Sequence, residues 1–143
     1  MIAALTVMAA SALATGNQLL GTWTCTPVWE EPKPTFDLVI SDSDNGRLAT
    51  ISGSKWDEIP NGTIPATGEI IPSTFSPQDR EKYDFGEFGQ TFHGRVPDGF
   101  LGLTAVWYKK SKSISVEIHF GPVPPREVNL LQAAKCKPKD ILQ

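Results

Sequence analysis

The sequence predicts an all-β domain, an antiparallel up-and-down barrel of about eight strands whose two ends are joined by a disulfide. Three observations predict it. Residues 100–120 form two strand-forming arms around the polar Lys109-Lys110-Ser111-Lys112, the pattern of a β-hairpin. Short strand-like stretches separated by Asn-Gly and Asp-Gly pairs recur along much of the chain. Two cysteines, Cys25 and Cys136, stand near the two ends. A β-sandwich, which also accepts seven short strands, is the alternative architecture.

The chain has 143 residues and suits a single domain over residues 15–143. Its net charge is -3, with both signs interspersed, so nothing in the sequence suggests a basic nucleic-acid footprint or a polybasic membrane patch. Residues 1–14 carry no charged side chain, have an apolar middle and end in Ala12-Leu13-Ala14. That is the small-x-small rule of a secretory signal peptide, and the stretch is too short to span a bilayer. A buried N-terminal helix is the rival reading. Export to the periplasm or the exterior is an oxidising fate, in which two lone cysteines most simply pair. Paired cysteines hold their Cα atoms within about 7 Å, so the first and last strands must be neighbours.

In chain order, residues 21–29 alternate Thr22, Thr24 and Thr26 with Trp23, Cys25 and Pro27, a strand that Pro27 ends or places at an edge. Residues 35–41 and 47–52 flank an acidic tip ending in Asn45-Gly46, a type I′ hairpin signal. Asn61-Gly62 and Asp98-Gly99 repeat that signal. Residues 69–73 are a short apolar stretch. Within residues 74–81, Ser76 as N-cap and Pro77 at the first helical position predict one helical turn. Residues 84–89 are glycine-interrupted, a loop or a bulged strand. Residues 100–108 are apolar on both faces. After them Ile114, Val116, Ile118 and Phe120 alternate with Ser113, Ser115, Glu117 and His119, a half-buried strand. Residues 127–136 suit either a last strand or a short helix.

Gly21-Thr22-Trp23, following Leu19-Leu20, resembles the G-x-W that opens the first strand of the calycin-type barrels, the lipocalins and avidins. The avidin likeness continues through Leu101-Gly102-Leu103-Thr104 to Trp107 and through Val128-Asn129-Leu130-Leu131. The resemblance implies a barrel with Trp23 plugging one end. It does not imply biotin, because Cys25 replaces a polar contact and the late avidin tryptophan is absent.

The strongest metal or acid–base constellation is Glu117 and His119 on one strand face, with His93 able to join from a neighbour. The alternation that makes the strand also predicts those positions as a solvated outer face, which is the better reading. Asp42, Asp44 and Asn45 do not fit calcium-loop spacing and read as a turn. No nucleophile signature is present, and carboxylates such as Asp57, Glu58, Asp84 and Glu87 are paired only by their fold. Asn61-Gly62-Thr63 is a glycosylation sequon as well as a turn. No cofactor is implied.

The expected function is an exported, lipocalin-like carrier of a small apolar ligand, with Trp23, Trp107 and Phe120 as ligand-binding residues and no catalytic machinery. The alternatives are a secreted or periplasmic protein-interaction module, such as a hydrolase inhibitor working through the proline-rich loops 29–34, 59–72 and 122–125, and a zinc-dependent enzyme at Glu117 and His119. An open barrel interior favours the carrier; a filled one favours the interaction module.

Overall fold

The computed structural model describes residues 16–28, 34–56, 59–97, 99–122 and 130–139. The expected signal peptide, Trp29, Asp57, Glu58, Asp98 and the loop 123–129 lie outside them.

The described chain forms β1 (Gly21–Pro27), β2 (Phe36–Ser43), β3 (Gly46–Ser52), β4 (Gly62–Pro65), β5 (Ile71–Pro72), β6 (Phe88–Val96), β7 (Gly99–Tyr108), β8 (Ser113–Pro122) and β9 (Leu130–Pro138). One helix, α1 (Pro77–Tyr83), interrupts them, and a 3₁₀ turn at Asn17–Leu19 precedes β1. All nine strands belong to one sheet in the order β4-β3-β2-β1-β9-β8-β7-β6-β5. The pairings are antiparallel throughout.

The sheet curls until its edges meet. Residues 62–72 first pair with β3, from Ile51↔Gly62 to Leu48↔Pro65, and then with β6, at Ile71↔Gly89 and Pro72↔Phe88. Between the two halves Ala66 bridges Phe92, and the Thr67 N–H donates to the Thr91 carbonyl at 3.0 Å. β4 and β5 therefore act as one interrupted strand along the seam, and eight positions run round the barrel. The seam is tight because two glycines sit on it. A Cβ on Gly94 would stand 2.9 Å from Pro65 Cδ, and one on Gly62 would stand 2.8 Å from Val96 Cγ1.

At the join of the chain ends, Cys25 lies directly opposite Cys136 in the β1–β9 ladder. The two form a disulfide with Cα atoms 4.0 Å apart, both fully buried. The barrel prediction and the cysteine pairing are thus both found.

Alternation sends one face of every long strand inward. Trp23, Phe36, Leu38, Ile40, Ile51, Ile64, Phe92, Leu101, Leu103, Ile114, Val116 and Ile118 fill the interior, each at most 3% exposed. Leu19 closes one end and Ile59 is buried with the same core. Gln90 is the buried polar residue among them. Its Nε2 donates to the Gly68 carbonyl at 3.1 Å and its Oε1 accepts from Arg47 Nη1 at 3.2 Å. Arg47 also donates to the Gly16 carbonyl at 2.8 Å and to Asp42 Oδ1 at 2.9 Å, tying the start of the described chain to β2, β3 and β6. Among the described residues, no buried side-chain nitrogen or oxygen lacks a partner.

Local departures from the sequence reading have local causes. The β2–β3 turn centres on Asp44 and Asn45, and Gly46 (φ 118°) is the residue that turns left-handed, opposite Ser43. Ser43 Oγ donates to the Gly46 carbonyl at 2.6 Å and accepts from the Asn45 N–H at 3.3 Å, so a side chain holds the turn that an I′ backbone was expected to make. Residues 84–87 are loop, and the last ambiguous stretch is strand β9, held on both sides by β1 and β8. The helical turn is as expected: Ser76 Oγ accepts from the Asp79 N–H at 3.1 Å, with Pro77 at the first position.

Candidate functional site

Of the three residues expected to bind a ligand, Trp23 and Trp107 come together and Phe120 lies apart. Trp23 and Trp107 meet edge to face, with ring centroids 6.3 Å apart. Trp23 is buried, and its Nε1–H donates to the Leu19 carbonyl at 2.9 Å. Phe120 pairs with Leu101, whereas Ile114 pairs with Trp107. Those two positions on β8 are six residues apart, about 20 Å of strand, so Phe120 belongs to the opposite end. Between the ends the packed side chains occupy the space a carried molecule would need.

The imidazoles and the carboxylate are also spread out. His93 on β6 and His119 on β8 flank Gly102 on β7, and Glu117 stands opposite Thr104. His93 stacks on Phe100, with centroids 6.3 Å apart and planes 1° apart. Among the described residues, no three of His, Cys, Asp and Glu are placed to hold a metal ion. Of the other carboxylates, Glu87 accepts from Arg80 Nε at 2.9 Å and Asp84 is the left-handed C-cap of α1. Asn61 is engaged with Ser54, accepting from its N–H at 2.9 Å and donating to its carbonyl at 3.2 Å.

What the structure does assemble is a cleft on the outer wall. Between β5 and β6 the chain leaves the barrel, makes α1 and returns, and this excursion lies against the outer faces of β6 and β7. The cleft so formed has a volume of about 470 Å³ and is lined by Ile71, Pro72, Phe75, Phe85, Phe88, Val106 and Tyr108, among others. Its geometry follows from two glycines. A Cβ on Gly86 would collide with Val106 Cγ1, and one on Gly89 would stand 3.1 Å from the Ala105 carbonyl. Their bare backbones let the returning chain lie on Val106. Phe85 then sits between Phe75 and Tyr83, with centroids 4.3 and 5.5 Å away. Arg80 fixes the excursion by donating to Glu87 and to the Phe75 carbonyl.

Ile71, Phe75 and Tyr83 remain 57%, 50% and 55% exposed; Ile71 and Phe75 line the cleft together, and Tyr83 joins Phe75 through the Phe85 ring between them. Single exposed apolar residues are ordinary, but a contiguous cluster rimmed by charge marks a contact surface. A second hollow, sharing Asp84 with the cleft, carries both signs: Arg80, Lys109 and Lys110 against Glu81, Asp84 and Glu87. An apolar centre with exposed aromatics and a charged rim is the anatomy of a protein–protein contact. Sequence reasoning did not single out Phe75, Tyr83 and Phe85 for function. The available signal was three aromatics within eleven residues around a predicted helical turn too short to bury them.

Compared with protein-family models, curated proteins and solved structures, the chain matches none. The class of protein therefore rests on its own geometry: a disulfide-joined antiparallel barrel with a packed interior and an apolar cleft outside. Among the described residues, no helix is long and apolar enough to cross a membrane.

Proposed function

We propose that this chain is an exported, calycin-like interaction module that binds a partner protein on its outer wall, as an inhibitor of an extracellular or periplasmic hydrolase would. The observation that carries the reading is the contrast between inside and outside. The interior is filled by buried side chains from Trp23 to Ile118, while Ile71 and Phe75 stand exposed in a cleft on the surface, with the exposed Tyr83 stacked on its Phe85. Export is supported by the buried Cys25–Cys136 disulfide, a bond typical of oxidising compartments, together with the signal-like residues 1–14. The calycin-like part is supported by Trp23, which lies at one end of the barrel and bonds the 3₁₀ turn before β1.

Native mass spectrometry of protein purified from its own host tests this reading. The expected spectrum shows the chain free of small molecules, together with a protein complex that Ile71→Ser combined with Phe75→Ser abolishes. A small apolar molecule retained by the folded chain and unaffected by those substitutions would return the carrier.

A further inference from the structure

Two lysine runs that are far apart in sequence share one face of the barrel. Lys109, Lys110 and Lys112 occupy the β7–β8 turn, immediately before Ser113 opens β8. β9 runs antiparallel to β8 with Cys136 opposite Ile114 and Lys135 opposite Ser115, so Lys137 and Lys139 continue past β8 towards that turn. All six lysines are exposed. They are six of the 13 basic residues in a chain whose net charge is -3, so a local excess of positive charge stands against an acidic whole.

The acidic groups near them gather at one end, where Glu81, Asp84 and Glu87 share a hollow with Lys109 and Lys110, and Glu87 already pairs with Arg80. Lys139 pairs with Asp37 at 2.9 Å. Asp84 borders a shallow hollow with Lys135, Tyr83, Tyr108 and Ser115. Glu117 lies further along β8, opposite Ala133. Among the described residues the other five lysines form no ion pair.

Lys135 and Lys137 alternate along β9 and so point outward together, about 6.8 Å apart. Their neighbours across the ladders are hydroxyls: Thr26 and Ser115 beside Lys135, and Thr24 beside Lys137. Each lysine alone is a solvated point charge worth little. A row of them gains from a ligand that presents anions in a row. We propose that this face binds an extended acidic polysaccharide, whose carboxylate or sulfate groups meet the lysines while Thr24, Thr26 and Ser115 serve its hydroxyls. Single-stranded nucleic acid is disfavoured because binding it calls for aromatic rings interleaved with the charges: the cross-strand neighbours here are threonine and serine, and the two rings near the row, Tyr83 and Tyr108, border only the hollow at Lys135. A bilayer is disfavoured because the row offers no apolar side chain to insert. The proposal uses none of the apolar lining of the cleft; Lys109 and Lys110 are the residues that stand close to both surfaces.

The test is equilibrium binding of the intact protein to polygalacturonate and dextran sulfate, alongside neutral dextran, single-stranded DNA and phosphatidylserine vesicles. Binding to both acidic polysaccharides and not to dextran is expected, with log affinity falling linearly in log salt. Lys135→Glu with Lys137→Glu, and separately Lys109→Glu with Lys110→Glu, should each weaken it about tenfold or more, because affinity scales with the number of ion contacts. Lys55→Glu with Arg95→Glu, elsewhere on the surface, should leave it unchanged. No binding to either acidic polymer overturns the proposal. So does equal weakening by the Lys55/Arg95 pair, or tighter binding to DNA or vesicles.

Discussion

Arg47 shows what a single side chain does in this fold. Its side chain is 12% exposed, and its guanidinium serves Asp42, Gly16 and the buried Gln90 at once. Arg47→Met keeps much of the stem but leaves the Gln90 oxygen and the Gly16 carbonyl short of a donor. The expected loss is about 1–3 kcal/mol, the range for a buried polar group left unsatisfied, read as a lower urea midpoint. Trp23 is a second such residue. Trp23→Phe keeps an aromatic ring against Trp107 but orphans the buried Leu19 carbonyl, with a loss of similar size expected in the same titration. Trp23 was conspicuous in the sequence for another reason, as part of G-x-W, whereas Arg47 was only the first residue of a predicted strand. Their partners were not legible, because Gly16 and Gln90 reach them only after the sheet has curled.

At the scale of elements, the first and last strands are joined twice, by the β1–β9 ladder and by the disulfide inside it. The ladder already holds the folded ends together, so the bond acts mainly on the unfolded chain, where it removes the freedom of a loop spanning 111 residues. Replacing Cys25 and Cys136 with alanine should cost about 2–5 kcal/mol. Guanidinium unfolding of the oxidised wild type, the reduced wild type and the double variant measures it, the last two being expected to agree. The seam between β4 and β6 depends instead on the absence of side chains. Gly94→Val would drive its branch into Pro65 and Ile64, and the expected result is faster hydrogen exchange at Thr67 and Ala66. The β5–α1 excursion is the least packed element, since none of the residues of α1 is buried. Its freedom from the core is what leaves Phe75 and Tyr83 for another molecule.

For the whole molecule, the decisive property is that the barrel encloses side chains. Eight strands enclose just enough width for their own residues to fill. Phe92→Ala should therefore create a cavity and cost about 3–5 kcal/mol, measured by chemical denaturation. Xenon or benzene should bind the variant and not the wild type, because an apolar cavity stays dry and accepts such probes.

Periodicity, cysteine placement and turn chemistry determined the barrel, the strand identities of β1, β7 and β8, the capped helical turn and the disulfide. Each depends on residues close in sequence, or on the single constraint that two lone cysteines meet. Only the tertiary structure decided whether the interior is open or packed, because that depends on how inward side chains from all the strands interdigitate. It likewise decided the two outer surfaces. The aromatic cleft needs Gly86 and Gly89 laid on Val106 from another strand, and the lysine face needs β9 set antiparallel to β8. Neither arrangement has a local signature, since side chains distant along the chain become neighbours only when the ladders register them.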